Sequence, residues 1–390
     1  KHDQISHIAK LARIEEEHYV WMDKFTIRNL ELLYSPHENA RTLIDIMDRT
    51  VSPMGSRLLK RWLALPLKDK SLIEHRLNLV DHFLGIQSEQ DQVLDWIKQT
   101  GDLERLVSKV AAGRVNPREV MHILHAIQAI QPLKSYCEKS KQKDLKKMGD
   151  QFHACEVIKL KIERELVDDP PNALGKGSVI REGVNKELDE LRSLSGSAKE
   201  VMQNIQDREM EKTGITSLKI AYNNVFGYYL EVRNTHKDKV PQEWFRKQTL
   251  VNAERYITEE LKELEGKILG AEEKISIIEH RLFNELVLEV ADYIGHLQYN
   301  ASLLAKLDCL LSFAQIAVEN DYTRPALSDD KELQITNGRH PVIEKELPLG
   351  EEYISNDIFL DNDKQQIIMI TGPNMSLSLI HISEPTRHTS

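Results

Sequence analysis

The sequence predicts a mainly α-helical protein in which two long helical arms flank a small β-containing module, with the opening of an α/β domain behind them. Three features carry this expectation. Residues 185–212 and 259–318 are charged, periodic and free of proline, as long helices are. Residues 217–233, between them, are rich in β-branched and aromatic side chains, as strands are. Residues 366–371 form a short apolar run that stops at Gly372, as a buried strand does ahead of a phosphate-binding loop.

Composition sets the outer bounds. The chain has 390 residues, 41% hydrophobic and 29% charged, which suits two or three domains with packed cores. No run reaches the roughly 18 uncharged apolar residues of a membrane span, so no membrane association is expected. The first twenty residues are mixed polar and charged, unlike a signal peptide. The chain starts at Lys1 rather than Met, which reads as a fragment. Cys137, Cys155 and Cys309 are odd in number and far apart. They argue against a disulfide framework or paired zinc ligands and fit a reducing, cytoplasmic compartment. A net charge of −10 excludes a generally basic nucleic-acid binder, so any DNA contact has to come from a local patch.

Along the chain, residues 56–66 place Leu58, Leu59, Trp62, Leu63 and Leu65 mostly on one stripe, with Pro53 ahead as at a helix start and Pro66 ending the run. Residues 71–100 continue in helical style through Leu72, Leu79, Val80, Phe83 and Leu84. Pro117 opens another helix, to about Ile130. Asp169-Pro170-Pro171-Asn172 and Gly175-Lys176-Gly177-Ser178 are breaks. The β-rich stretch splits at an Asn-Asn/Gly turn into runs 218–222 and 228–232, and 234–247 reads as loop. In the second arm Leu264, Ile268, Ala271, Ile275, Ile278 and Leu282 follow near-heptad spacing; one continuous helix there would reach about 90 Å. Residues 333–336 and 341–344 look like short strands around Gly338-Arg339-His340-Pro341.

The run Ile367-Ile368-Met369-Ile370-Thr371-Gly372 invites comparison with a P-loop, G-x-x-x-x-G-K-[ST], whose backbone N–H groups and lysine hold phosphates. Gly372 would be the first glycine. Leu377, Ser378 and Leu379 then stand where glycine, lysine and serine or threonine are required, so the strict motif is not met.

Thr371-Gly372-Pro373-Asn374-Met375 nevertheless resembles the start of the Walker A loop of the MutS family of DNA mismatch-repair ATPases. Three further blocks resemble that family in the same order. Residues Thr50-Val51-Ser52-Pro53-Met54-Gly55-Ser56-Arg57 and onward to Leu63 resemble its core-domain signature. Phe226-Gly227-Tyr228-Tyr229-Leu230-Glu231-Val232 and residues 248–256 resemble its clamp, and Gly338-Arg339-His340-Pro341-Val342 the approach to its ATPase domain. The resemblance covers residues 1 to about 375.

What the resemblance implies is a mainly α fold: a long helical lever/core domain, a small β-containing clamp inserted between helical arms, and the truncated start of an α/β P-loop ATPase domain. The implied divisions are 1–200 for the first part of the core and lever, 201–262 for the clamp, 263–325 for the returning lever, and 326–376 for the start of the ATPase domain. Residues 377–390 resemble a translated sequencing adapter and are set aside as non-native. The family's mismatch-reading domain and connector would precede Lys1. The intact protein would bind mismatched double-stranded DNA as a homodimer, use ATP with Mg²⁺, and engage a downstream mismatch-repair factor. The chain alone, without the loop lysine, is expected to hold no nucleotide tightly and to hydrolyse none. Two other readings stay open: a relative acting on recombination intermediates, and a structural coiled-coil protein resting on the heptads of 264–282.

Individual residues follow. Tyr353 aligns with the family aromatic that stacks on adenine. Gly372, Pro373, Asn374, Met375 and Ser376 would belong to the nucleotide loop. Arg233, Lys237, Lys239, Arg246 and Lys247 stand against only Asp238 and Glu243 in 233–247, a patch suited to DNA phosphates, with Trp244 and Phe245 as packing support. A solvated loop is the other reading. Arg57, Lys60 and Arg61 beside Trp62 read as a solvated face, and His340 as a structural residue next to Pro341. No His, Cys or carboxylate spacing suggests a dedicated metal site.

Overall fold

The computed structural model describes residues 18–369, apart from positions 38, 39, 224, 226 and 349. The helices in chain order are α1 (Lys24–Asn29), α2 (Leu43–Met47), α3 (Pro53–Ala64), α4 (Lys70–Leu84), α5 (Gln87–Gln99), α6 (Leu103–Ala111), α7 (Pro117–Lys139), α8 (Lys143–Gln151), α9 (Glu156–Glu165), α10 (Lys186–Thr213), α11 (Glu259–Asp292), α12 (Ile294–Asn320) and α13 (Pro341–Glu346). The strands are β1 (Lys219–Asn223), β2 (Gly227–Arg233), β3 (Phe245–Thr249), β4 (Ala253–Ile257), β5 (Leu333–Gly338) and β6 (Asn356–Leu360). The fold is mainly α with small antiparallel sheets, as expected.

The chain forms two compact units. One gathers Lys1–Arg114, His122–Glu156 and Tyr293–Ser390; the other holds Val115–Met121 and Val157–Asp292. The first is therefore assembled from segments on both sides of the second.

In the first unit α12 is the central element. It packs against α2, α3, α4, α5 and α6, and Leu297, Leu304, Leu307 and Leu311 are fully buried. By length and composition alone α12 would reach across a membrane, and no such run was expected from the sequence. However, 67% of its apolar window is buried inside the unit, which is the pattern of a core helix.

Three polar side chains on α12 hold segments far away in the sequence. The Asp308 carboxylate accepts hydrogen bonds from the backbone N–H groups of Val51 and Ser52, both at 2.9 Å, and from the Ser52 hydroxyl at 2.6 Å. Ser52 in turn caps α3, its Oγ accepting from the Gly55 N–H at 3.0 Å, and Pro53 opens the helix. A Cβ on Gly55 would overlap the Asp308 carboxylate, so glycine is required there for close approach. Ser312 accepts from the Arg49 N–H at 2.8 Å and donates to the Met47 carbonyl at 2.9 Å. Asn300 pairs with both backbone groups of His153, at 2.9 and 2.8 Å. Burial pushes the Asp308 carboxyl above its usual range, while the bonds from Ser52 and Val51 pull it down.

In the second unit α10 and α11 pack on each other. Arg208 binds Glu260 near one end, and Arg192 binds Glu279 farther along, so the two run antiparallel. α10 starts where the sequence places it: the Asn185 side chain accepts from the Leu188 N–H at 2.9 Å, and Gly214 ends the helix at φ 66°. Between the arms lies a four-stranded antiparallel sheet of order β1-β2-β4-β3.

Four expectations need correction. Residues 259–318 are not one helix: α11 ends at Asp292 and α12 begins at Ile294, the chain passing from one unit to the other across Tyr293. Proline is not needed for this break, because the two helices bury their faces in separate cores. Residues 234–247 are not simply loop. They form a 3₁₀ turn (Asn234–Lys239) and then enter β3, which pairs with β4. Residues 341–344 are not a strand but lie in α13, where Pro341 sits in the first turn and His340 Nδ1 accepts from the Ile343 N–H at 3.3 Å. That is the structural role expected of His340. Finally, 366–369 are in no strand, and Ile367 and Met369 are more than 80% exposed. β5 and β6 pair with each other, and no described strand flanks this run.

Asp308→Ala is expected to lower the stability of the first unit by about 3 kcal/mol, because three donors lose their acceptor together. Chemical denaturation followed by circular dichroism reads the effect. An unchanged midpoint would show that the loop before α3 does not depend on α12.

Candidate nucleic-acid interface

The sheet of the second unit rests on its own small core, in which Leu218, Leu230, Val232, Trp244, Tyr256 and Leu261 are buried. Trp244 is thus a core residue, with its ring centroid 6.0 Å from that of Tyr256, rather than a support for surface cations. Phe245, its neighbour, is 64% exposed on the edge strand β3.

Each hairpin is set by local chemistry. β1 and β2 pair in register from Lys219↔Glu231 to Asn223↔Gly227. Gly227 has φ +75°, and a Cβ there would overlap the Glu265 carboxylate of α11. Left-handed backbone and close packing both select glycine at this position. β3 and β4 turn through Val251-Asn252, closed by Leu250 N–H to the Ala253 carbonyl at 2.8 Å. Asn234 Nδ2 donates to the Val251 carbonyl at 2.9 Å, tying this turn to the end of β2.

The five cations named from the sequence separate into two kinds. Arg246 is 3.5 Å from the Glu254 carboxylate, which also accepts from the Tyr256 hydroxyl. Burial, and then Glu254, push Tyr256 up to about 12. Arg246 is therefore partly committed to the sheet. Arg233, Lys237, Lys239 and Lys247 are exposed. Among the described residues these four form no ion pair within 4 Å. Arg233 ends β2, Lys237 and Lys239 lie on the 3₁₀ turn, and Lys247 sits at a bulge in β3 between Arg246 and Gln248. The register sets Arg233 against Ala253 and Arg246 against Tyr256, about 10 Å apart along β4. Lys237 and Lys239 stand off the strands, on the 3₁₀ turn that follows β2.

Two residues that sequence reading left out shape this surface. Lys212 binds Glu243 at 2.6 Å and removes one of the two acids that would offset the patch. Arg255 lies 4.3 Å from the centroid of the Tyr229 ring and donates to Gln248 at 2.8 Å, so it is a sheet residue. The turn residue Asn252, with Thr249, Tyr256 and Ile257 in the runs on either side, was the signal for the second hairpin.

Packing accounts for Gly338-Arg339-His340-Pro341. Arg339 Nη2 donates to the Asn320 and Asp321 carbonyls at 2.8 and 2.9 Å, closing the end of α12, and Nη1 binds Glu344 at 2.7 Å. A Cβ on Gly338 would crowd Ile335 and the Asn356 carbonyl, so glycine allows β5 and β6 to approach. Tyr353 is half-buried in the irregular segment ahead of β6. Gly372, Pro373, Asn374, Met375 and Ser376 lie outside the described residues. Near Trp62, Arg57 binds Asp102 and Glu104 at 2.7 and 2.6 Å on the surface. Among the described residues no group of His, Cys, Asp and Glu is placed to hold a metal ion.

A helical core unit interrupted by paired arms that carry a small sheet defines a class of multidomain protein with an inserted, arm-borne module. The family model described as MutS domain III matches residues 25–314, and the chain belongs to that family. It is 57% identical over 376 residues to the DNA mismatch repair protein MutS of Flavobacterium psychrophilum, covering 96% of this chain and 43% of that protein. The proteins of the same name from Flavobacterium johnsoniae and Bacteroides fragilis are 58% and 55% identical, again over 96% of this chain and over 43% and 44% of theirs. The chain thus spans less than half the length of these curated relatives.

Gly227→Ala is expected to destabilise the second unit by roughly 1–3 kcal/mol, through left-handed strain and displacement of Glu265. Amide hydrogen exchange should show faster opening of β1 and β2. Unaltered protection there would mean that neither constraint matters.

Proposed function

We propose that this chain is the core, lever and clamp portion of a DNA mismatch-repair protein whose intact form couples ATP to the gripping of mismatched duplex DNA. The clamp corresponds to 201–262, with α10 and α11 as its arms, and 326–376 begins the ATPase domain. The observation that carries the reading is the sheet between antiparallel arms, with Arg233 and Lys247 on its strands and Lys237 and Lys239 on the adjoining 3₁₀ turn, all exposed and, among the described residues, in no ion pair within 4 Å. A group of exposed point charges suits a phosphate backbone and reads no base sequence. The relatives named for mismatch repair support the same role. Action as a homodimer in the cytoplasm, together with a downstream repair factor, belongs to the same proposal for the intact protein.

ATP with Mg²⁺ is assigned to the intact protein only. In this chain Leu377, Ser378 and Leu379 occupy the places where a phosphate loop needs glycine, a lysine to neutralise charge, and a hydroxyl for the metal, so the residues present do not fit the group. Tyr353 is proposed to face the adenine and Gly372 to Ser376 to form the opening of the loop once the domain is whole.

Changing Arg233, Lys237, Lys239 and Lys247 together to alanine should weaken binding to a duplex oligonucleotide. It should also flatten the salt dependence by roughly one unit of log–log slope for each phosphate left without its cation. Fluorescence anisotropy at several salt concentrations measures both; equal affinity and slope would remove the clamp reading. The purified chain is expected to release no phosphate from ATP, and turnover above the buffer rate would contradict the assignment of ATP to the intact protein alone.

A further inference from the structure

A cavity of about 440 Å³ opens in the first unit, and its lining includes none of the residues named above for DNA or nucleotide. Its walls come from α3, α4, α8, α12 and the strand-like pairing of Tyr19 with Leu67. Most of the lining is apolar, with leucines from α3, α4 and α12 and Met148 from α8. Into this apolar wall the chain sets four cations, Arg61, Arg76, Lys147 and Lys306, against one carboxylate, Asp144. Asp144 is already held by His75 at 2.9 Å. Among the described residues none of the four cations forms an ion pair within 4 Å.

Half-buried Arg76 and Lys306, exposed at the cavity mouth, are the informative cations. The Arg76 guanidinium lies 3.6 Å from the centroid of the Trp62 ring, which fixes its position without neutralising its charge. Burial pulls Arg76 down to about 10. Lys306 keeps solvent contact, but surrounding protein desolvates its ammonium and Arg76 repels it, so it too is held below the usual lysine range. Like charges placed together in a partly desolvated cavity are unfavourable unless an anion joins them. Arg57, Arg192 and Arg324, by contrast, each have carboxylate partners.

We infer that this cavity is a binding site for a small organic phosphate monoester with an apolar body, the phosphate held by Arg76 and Lys306 and the body by the leucine wall. A phosphate is favoured over a monocarboxylate because it brings close to two negative charges and three acceptor oxygens to several cations at once. The size is that of a small-molecule pocket. Trp62 is covered by Arg76, so the apolar body packs on leucine rather than stacking on that indole.

The test is calorimetric titration of the 390-residue chain with 1-naphthyl phosphate, with 1-naphthol as the uncharged arm. Saturable one-to-one binding is expected, with 1-naphthol at least about tenfold weaker. Lys306→Gln and Arg76→Gln should each weaken it by about tenfold. Arg76→Gln exposes Trp62 and can disturb α3, so the deciding variant is Lys306→Gln, whose side chain is at the cavity mouth. Lys247→Ala on the clamp sheet should leave the titration unchanged, which separates this site from the cations there. No saturation, equal affinity for 1-naphthol, unchanged binding in Lys306→Gln, or loss in Lys247→Ala would each overturn the inference.

Discussion

The Asp308 carboxylate closes the core. It takes three hydrogen bonds from Val51 and Ser52 and leaves the Ser52 hydroxyl oxygen positioned to cap α3. The two ends of that contact are more than 250 residues apart, and the whole second unit lies between them in the sequence. Joining them closes a very long loop. The entropy of such closure grows only slowly with length, but nothing local repays it. A buried, multiply bonded carboxylate, with Ser312 and Asn300 making further ties from the same helix, supplies a specific geometry where apolar packing alone would allow α3 to slide. Gly55 belongs to this constraint, since the approach of α12 leaves no room for a side chain.

The second unit is held by a different logic. Its arms carry an ion pair near each of two levels, Arg208–Glu260 and Arg192–Glu279, the latter with a buried carboxylate that also receives the Val179 N–H at 3.0 Å. A buried pair of this kind fixes register more than it adds net stability. At the far end Gly227 and Glu265 set the sheet directly on α11. Movement of α11 therefore carries the sheet and its cations along.

The last described stretch is held to the first unit mainly through side chains. β5 and β6 form a two-stranded pair, and Arg339 and His340 join it to the core by capping two helices. The apolar run at 367–369 remains outside, with Ile367 and Met369 facing solvent. Such a run is built to be covered on both faces.

Features that depend on neighbours within a few residues were readable from the sequence. α3, α10 and the β1–β2 hairpin were legible because caps, periodicity and a glycine turn act locally. The charged patch at 233–247 was legible as composition. Tertiary structure decided the rest. It divided 259–318 at Tyr293, because each half serves a different core. It turned 245–249 into an edge strand, because β4 was there to pair with it. It sorted the patch, since Glu254 claims part of Arg246 and Lys212 cancels Glu243. It also brought Arg76 and Lys306 to one cavity from opposite ends of the chain. Each of these outcomes rests on pairings between residues that are distant in sequence, and no local pattern encodes a pairing.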